Sequence, residues 1–106
     1  MNMLHADGEE ILNEIQTSPS VLIDCWAPWC PPCRMIEPLL EEIQQEFSLK
    51  VVKVNGDNNE EFLSMFQVLG LPTLLLFQKG QLVERITGFQ PKAMLVKSLQ
   101  KYGLVE

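Results

Sequence analysis

Two cysteines at the junction of two contrasting segments constrain this chain more than any other feature. Residues 21–27 (VLIDCWA) form a short apolar run of the kind found in a strand covered on both faces. From residue 32 to residue 47 the apolar side chains instead recur every three or four positions, which indicates an amphipathic helix. Cys30 and Cys33 stand between the two segments. The sequence therefore predicts a buried strand that leads directly into a helix bearing a pair of thiols.

Further strands and helices alternate on both sides of this unit. We predict additional helices over residues 8–16, 59–66 and 91–102, and additional strands over residues 51–55, 74–77 and 81–87. Lys79 and Gly80 fit a hairpin turn between the last two strands. This order predicts an α/β fold in which parallel strands come first and an antiparallel hairpin comes last.

Length and composition bound the class of protein. A chain of 106 residues suits one domain spanning residues 1–106, and 46% hydrophobic with 21% charged residues is the balance of a globular core. With 14 acidic against 8 basic residues, the net charge of -6 opposes binding to nucleic acid. No apolar run approaches the roughly 18 residues of a membrane span, and the first residues do not resemble a secretory signal. We therefore expect a cytoplasmic protein that does not bind membranes.

The spacing of the cysteine pair is compatible with either metal or redox chemistry. A zinc or iron–sulfur site needs about four ligands, and only Cys25 and His5 could add to the pair. The sequence therefore predicts no metal site, and His5 is expected to be a solvated residue near the terminus. A thiolate at Cys30 would lie at the N-terminus of a helix, where the macrodipole and free N–H groups stabilise it. This position favours redox chemistry, although a structural disulfide remains the alternative.

The segment from Trp26 to Cys33 (WAPWCPPC) closely resembles the active-site segment of thioredoxins. From about residue 21 onward, further positions match that family, namely Asp24, Pro38, Lys53, Leu71-Pro72-Thr73, Gly80 and Gly88. The resemblance implies a thioredoxin fold, with a central mixed β-sheet of four to five strands flanked by four helices. It also implies an opening edge strand, which must lie within residues 1–5. The sequence departs from the family pattern at Pro31, where thioredoxins commonly carry glycine.

The resemblance also implies how the thiols work. Cys30 would be the exposed nucleophile and Cys33 the buried resolving thiol, with Asp24 as the acceptor of the Cys33 proton. Asp24 could also be an exposed acid on an edge strand, but its apolar neighbours argue for burial and a raised pKa. Lys53 would be the cation near Asp24 by resemblance, although a lone lysine on a strand could equally be solvated.

Other residues are expected to support the site or bind targets. By resemblance, Trp29, Pro31, Pro32, Lys53 and Pro72 support the active site, and Trp29, Leu71, Pro72, Gly88 and Phe89 contact the substrate. The position of Trp29 on a loop favours a docking ring over a core residue. Pro72 could simply begin a strand, but in thioredoxins the matching bond is cis and lets the preceding backbone pair with an extended target peptide. Cys25 is interpreted as a small core residue, because it alternates with Asp24 across the strand.

The function implied by the resemblance is reduction of protein disulfides by dithiol–disulfide exchange. The chain has no glycine-rich dinucleotide loop, so no bound cofactor is expected, and NADPH would act indirectly through a flavin-containing thioredoxin reductase. The expected partners are that reductase and disulfide-containing target proteins, and the chain is expected to be a monomer. Two alternatives remain open: a disulfide oxidase or isomerase with the same fold, and a non-catalytic binding or chaperone module.

Overall fold

The computed structural model describes residues 3–47 and 49–103. Within that part of the chain, five strands and four α-helices follow one another, and a 3-10 turn at residues 56–58 precedes the third helix. The strands are β1 (Leu4–His5), β2 (Ser20–Trp26), β3 (Lys50–Asn55), β4 (Thr73–Gln78) and β5 (Gln81–Thr87). The helices are α1 (Glu9–Thr17), α2 (Pro31–Phe47), α3 (Glu60–Met65) and α4 (Lys92–Gln100). The predicted fold class is confirmed.

The strands form one mixed sheet in the order β1-β3-β2-β4-β5. β1 and β2 both pair with β3 in parallel, whereas β4 runs antiparallel to β2 and to β5. β2 therefore lies at the centre of the sheet, which explains its nearly continuous apolar sequence. In this register Asp24 lies between Lys53 of β3 and Leu74 of β4.

The sheet is covered by helices on both faces. One core cluster joins residues of α2 and α4 to the sheet, among them Leu22, Ile36 and Leu95. The other joins residues of α1 and α3 to the opposite face, where Cys25 is fully buried. Alternation along β2 thus directs Leu22 and Asp24 towards α2 and places Cys25 on the opposite face, as the sequence predicts.

The predicted element boundaries differ from the observed ones by at most two residues. α4 is the clearest case, since it begins at Lys92 and ends at Gln100 rather than spanning residues 91–102. β1 lies within the first five residues, as expected. No helix in the described ranges is long and apolar enough to cross a bilayer.

His5 is exposed, as predicted, but it also has a place in the sheet. It belongs to β1 and is in register with Lys53 of β3. Its ring meets the Trp26 ring edge-on, with 6.3 Å between the ring centres. This contact spans β3, because β1 and β2 both pair with β3 in parallel.

Candidate active site

The two cysteines are joined in a disulfide at the point where β2 leads into α2. Their Cα atoms are 5.3 Å apart, and Cys30 comes directly before the first helical residue, Pro31. Because Pro31 and Pro32 have no N–H group, neither can donate to the Cys30 sulfur. The first available donor is the backbone N–H of Cys33, which lies 3.3 Å from Cys30 Sγ. The Cys30 sulfur therefore lies at the N-terminus of α2 with one backbone donor directed at it.

The structure contradicts the expectation that Cys30 is the exposed member of the pair. Cys30 is 4% exposed and Cys33 is 3% exposed, and both belong to a small cluster with Ala27. The partly buried side chains of Trp26 and Leu71 pack against that cluster. In this disulfide state, exposure does not distinguish the two sulfurs. A difference in reactivity must instead come from the hydrogen bond to Cys30 and from its position at the start of the helix.

Alkylation of the reduced protein near neutral pH should label Cys30 much faster than Cys33 or Cys25. The N-terminus of α2 favours a thiolate at Cys30, whereas burial raises the pKa of Cys25 to about 12. Iodoacetamide labelling followed by peptide mass spectrometry would measure all three rates in one sample, with the urea-unfolded protein as the reference. Equal rates for the three thiols in the folded protein would contradict the assignment of Cys30 as the nucleophile.

Residues predicted to contact a target lie on the loops around the disulfide. Trp29 is 66% exposed, and its Nε1 donates to Asp57 Oδ1 at 2.9 Å, which is consistent with a docking ring held from one edge. The Leu71-Pro72 bond is cis, as the resemblance implies. The backbone N–H of Gly88 donates to the Pro72 carbonyl at 2.8 Å.

The hydrogen bond from Gly88 to Pro72 joins the segment before Phe89 to the segment that contains the cis proline. Phe89 itself is 38% exposed. The contacts of these loops with a target remain a prediction.

Asp24 is buried in the face of the sheet that α2 covers. Its side chain is fully buried, and neither carboxylate oxygen has a hydrogen-bond partner among the described residues. Burial raises the pKa of Asp24 to about 7, against the opposing effect of the positive charge on Lys53. The predicted burial is confirmed, and the interpretation of Asp24 as an exposed acid is wrong. A carboxyl group with this pKa can take up or release a proton near neutral pH.

Lys53 is buried and is the cation near Asp24, as the resemblance implies, although its ion pair is with another acid. It is 5% exposed, so the solvated alternative is wrong. Its ammonium forms an ion pair with Glu37 of α2 and lies 4.2 Å from the centre of the Trp26 ring. Desolvation lowers the pKa of Lys53. Sequence reasoning missed Glu37 and Asp57, because each contacts a residue that only the fold brings near.

Comparisons with known proteins agree with this geometry. The family model described as Thioredoxin matches residues 2–101. Thioredoxin 1 of Synechococcus elongatus is 44% identical over 90 residues, which cover 83% of this chain and 84% of that protein. A mutant thioredoxin from Halobacterium salinarum has a TM-score of 0.90 at 33% identity, covering 95% of this chain and 90% of that chain.

A further similar chain comes from a structure on the thiol resolving mechanism in yeast mitochondrial 1-Cys peroxiredoxin via glutathione/thioredoxin systems. Its TM-score is 0.87 at 26% identity, and the match covers 94% of this chain and 95% of that chain.

Among the described residues, no group of three or more His, Cys, Asp or Glu side chains is placed to hold a metal ion.

Proposed function

Because the chain belongs to the thioredoxin family and exchanges disulfides through Cys30 and Cys33, we propose that it works as a protein-disulfide reductase. In this direction the dithiol form delivers two electrons to a target disulfide. NADPH would restore the dithiol through a separate thioredoxin reductase. We further propose that the chain acts as a cytoplasmic monomer.

The reaction proceeds through a mixed disulfide. The Cys30 thiolate attacks one sulfur of the target disulfide, and the other target sulfur leaves as a thiolate and takes up a proton. Asp24 then accepts the proton of Cys33, whose thiolate attacks the Cys30 sulfur. This step forms the Cys30–Cys33 disulfide and releases the second target thiol, so that the protein is oxidised by two electrons and the target is reduced by two.

The hydrogen bonding of the Cys30 sulfur is the observation that favours a reductase over an oxidase. Pro31 supplies no N–H in the first turn of α2, and the backbone N–H of Cys33 donates to Sγ. A less stabilised thiolate makes the dithiol form a stronger reductant. The proline ring also presets φ for the first turn of the helix, which favours the closed disulfide. Both effects lower the reduction potential.

We expect a reduction potential below about -220 mV, nearer to thioredoxins than to disulfide isomerases at about -180 mV. Pro31→Gly should raise the potential, because it adds an N–H that can stabilise the Cys30 thiolate. Equilibration in glutathione buffers measures both proteins. Pro28→Gly is the matched control, since it loosens the preceding loop without adding a donor to α2. A potential above about -200 mV, or a lower potential in Pro31→Gly, would indicate an oxidant instead.

Disulfide-containing proteins are the proposed partners. The loops that carry Trp29, Leu71, Pro72, Gly88 and Phe89 support this proposal, because the rings of Trp29 and Phe89 are exposed and Leu71 packs against the cysteine pair. The similar chain from the peroxiredoxin study supports it as well, since that work concerns a thiol resolved via glutathione/thioredoxin systems. A binding or chaperone module with idle cysteines would not require a buried carboxyl group that titrates near neutral pH.

A further inference from the structure

Glu37 joins α2 to the edge of the active site through Lys53. It lies one helical turn after Cys33, on the helix that carries the disulfide. Its carboxylate pairs with the Lys53 ammonium, which reaches it from β3. The same ammonium lies over the Trp26 ring, so a carboxylate and an aromatic face together define its position.

The pair leaves Asp24 without a fixed cation. Asp24 and Lys53 are register partners on neighbouring strands, and both side chains lie on the face of the sheet that α2 covers. Neither oxygen of Asp24 has a hydrogen-bond partner in the described part of the chain, and its carboxylate forms no ion pair there. The buried cation nearest to it in the sheet is therefore held by a different acid.

The other groups around Asp24 do not replace that cation. Leu74, its partner on β4, is apolar. On α2 the ionisable groups nearest in sequence to the disulfide are Arg34, which is exposed and donates to the Pro28 carbonyl, and Glu37. On β2 the side chain of Cys25 lies on the opposite face of the sheet. His5 lies beyond β3, against Trp26.

We propose that Glu37 is a positioning residue that holds the Lys53 ammonium away from Asp24, so that the carboxyl group stays free to take the proton of Cys33. The proposal rests on the role given to Asp24 in the proposed function. In physical terms, the carboxylates of Glu37 and Asp24 compete for the one buried ammonium of Lys53. Removing one competitor should transfer the interaction to the other.

Glu37→Gln should therefore lower the pKa of Asp24. The freed ammonium can approach Asp24, and a nearby negative charge is lost, and both changes favour the ionised carboxylate. An opposite charge within a few ångströms lowers a carboxyl pKa by one unit or more, so we expect a shift of about one pH unit. Glu37→Asp keeps the charge and should restore most of the original value.

The titration of the Asp24 carboxyl carbon, followed by NMR in the oxidised protein, tests this without any activity assay. Glu41→Gln is the matched control, because it makes the same charge change one turn further along α2, where no ion pair with Lys53 forms. It should move the titration by less than about 0.3 pH units, as expected for a screened charge. In a Lys53→Met background, Glu37→Gln should lose most of its effect.

Equal shifts in Glu37→Gln and Glu41→Gln would overturn the proposal, as would a full shift in the Lys53→Met background. The role of Asp24 is tested separately by stopped-flow measurement of the rate at which the mixed disulfide is resolved, as a function of pH. If the NMR titration moves as expected and the pH profile of resolution does not follow it, Glu37 still positions Lys53, and the assignment of Asp24 as the proton acceptor fails.

Discussion

Cys30→Ser should reduce the rate of NADPH-coupled insulin reduction to that of the reaction without the protein. The hydroxyl group cannot form the mixed disulfide through which electrons pass, so no part of the exchange reaction remains. The assay contains the variant, NADPH, a thioredoxin reductase and insulin, and follows the absorbance of NADPH. This is the largest effect expected from any single substitution in the chain.

Two further cysteine variants make this result specific. Cys33→Ser should keep the first attack and lose the second, so that the mixed disulfide accumulates and its targets can be identified by mass spectrometry. Cys25→Ala should retain the activity, because Cys25 is buried on the opposite face of the sheet and takes no part in the exchange. Appreciable insulin reduction by Cys30→Ser would show that the pair is not the reacting centre, whereas no reduction by the unaltered protein would favour the binding-module interpretation.

The strand–helix unit around the disulfide could be predicted because its local pattern and its place in the fold agree. β2 is apolar on both faces since it is the central strand, with neighbours on each side and helices above and below. The alternation of its side chains then assigns Asp24 and Cys25 to opposite faces. β5 was predicted with its observed bounds, because a hairpin turn and a proline-containing segment delimit it.

Contacts between distant elements could not be predicted in the same way. Glu37 occupies a turn of α2 whose outer face is rich in acids, and nothing in that pattern indicates that it pairs with a lysine of β3. The contact of Trp29 with Asp57 and that of His5 with Trp26 depend likewise on how the loops and strands meet. The burial of Cys30 could not be predicted for a related reason, since Leu71 comes to the disulfide from a loop about forty residues further along the chain.

Asp24→Asn should stabilise the fold at neutral and alkaline pH. Because burial raises the pKa of Asp24 to about 7, the folded protein binds more protons than the unfolded chain between about pH 4 and pH 7. Native stability is therefore lost as the pH rises through this window, and the carboxylate is fully charged in both states above it. The neutral amide avoids that loss, so we expect a gain on the order of 1 to 3 kcal/mol above pH 7 that shrinks towards pH 4.

Urea unfolding across this pH range measures the gain. Glu41→Gln, with the same charge change at a partly exposed position, should alter the free energy of unfolding by less than about 0.5 kcal/mol.

The same Asp24→Asn variant should resolve the mixed disulfide on the order of 100-fold more slowly, because the amide cannot accept the Cys33 proton. Formation of the mixed disulfide at Cys30 should change far less. Lower stability together with unchanged resolution would mean that Asp24 is a satisfied structural ion, and proton transfer from Cys33 would then have to go directly to solvent.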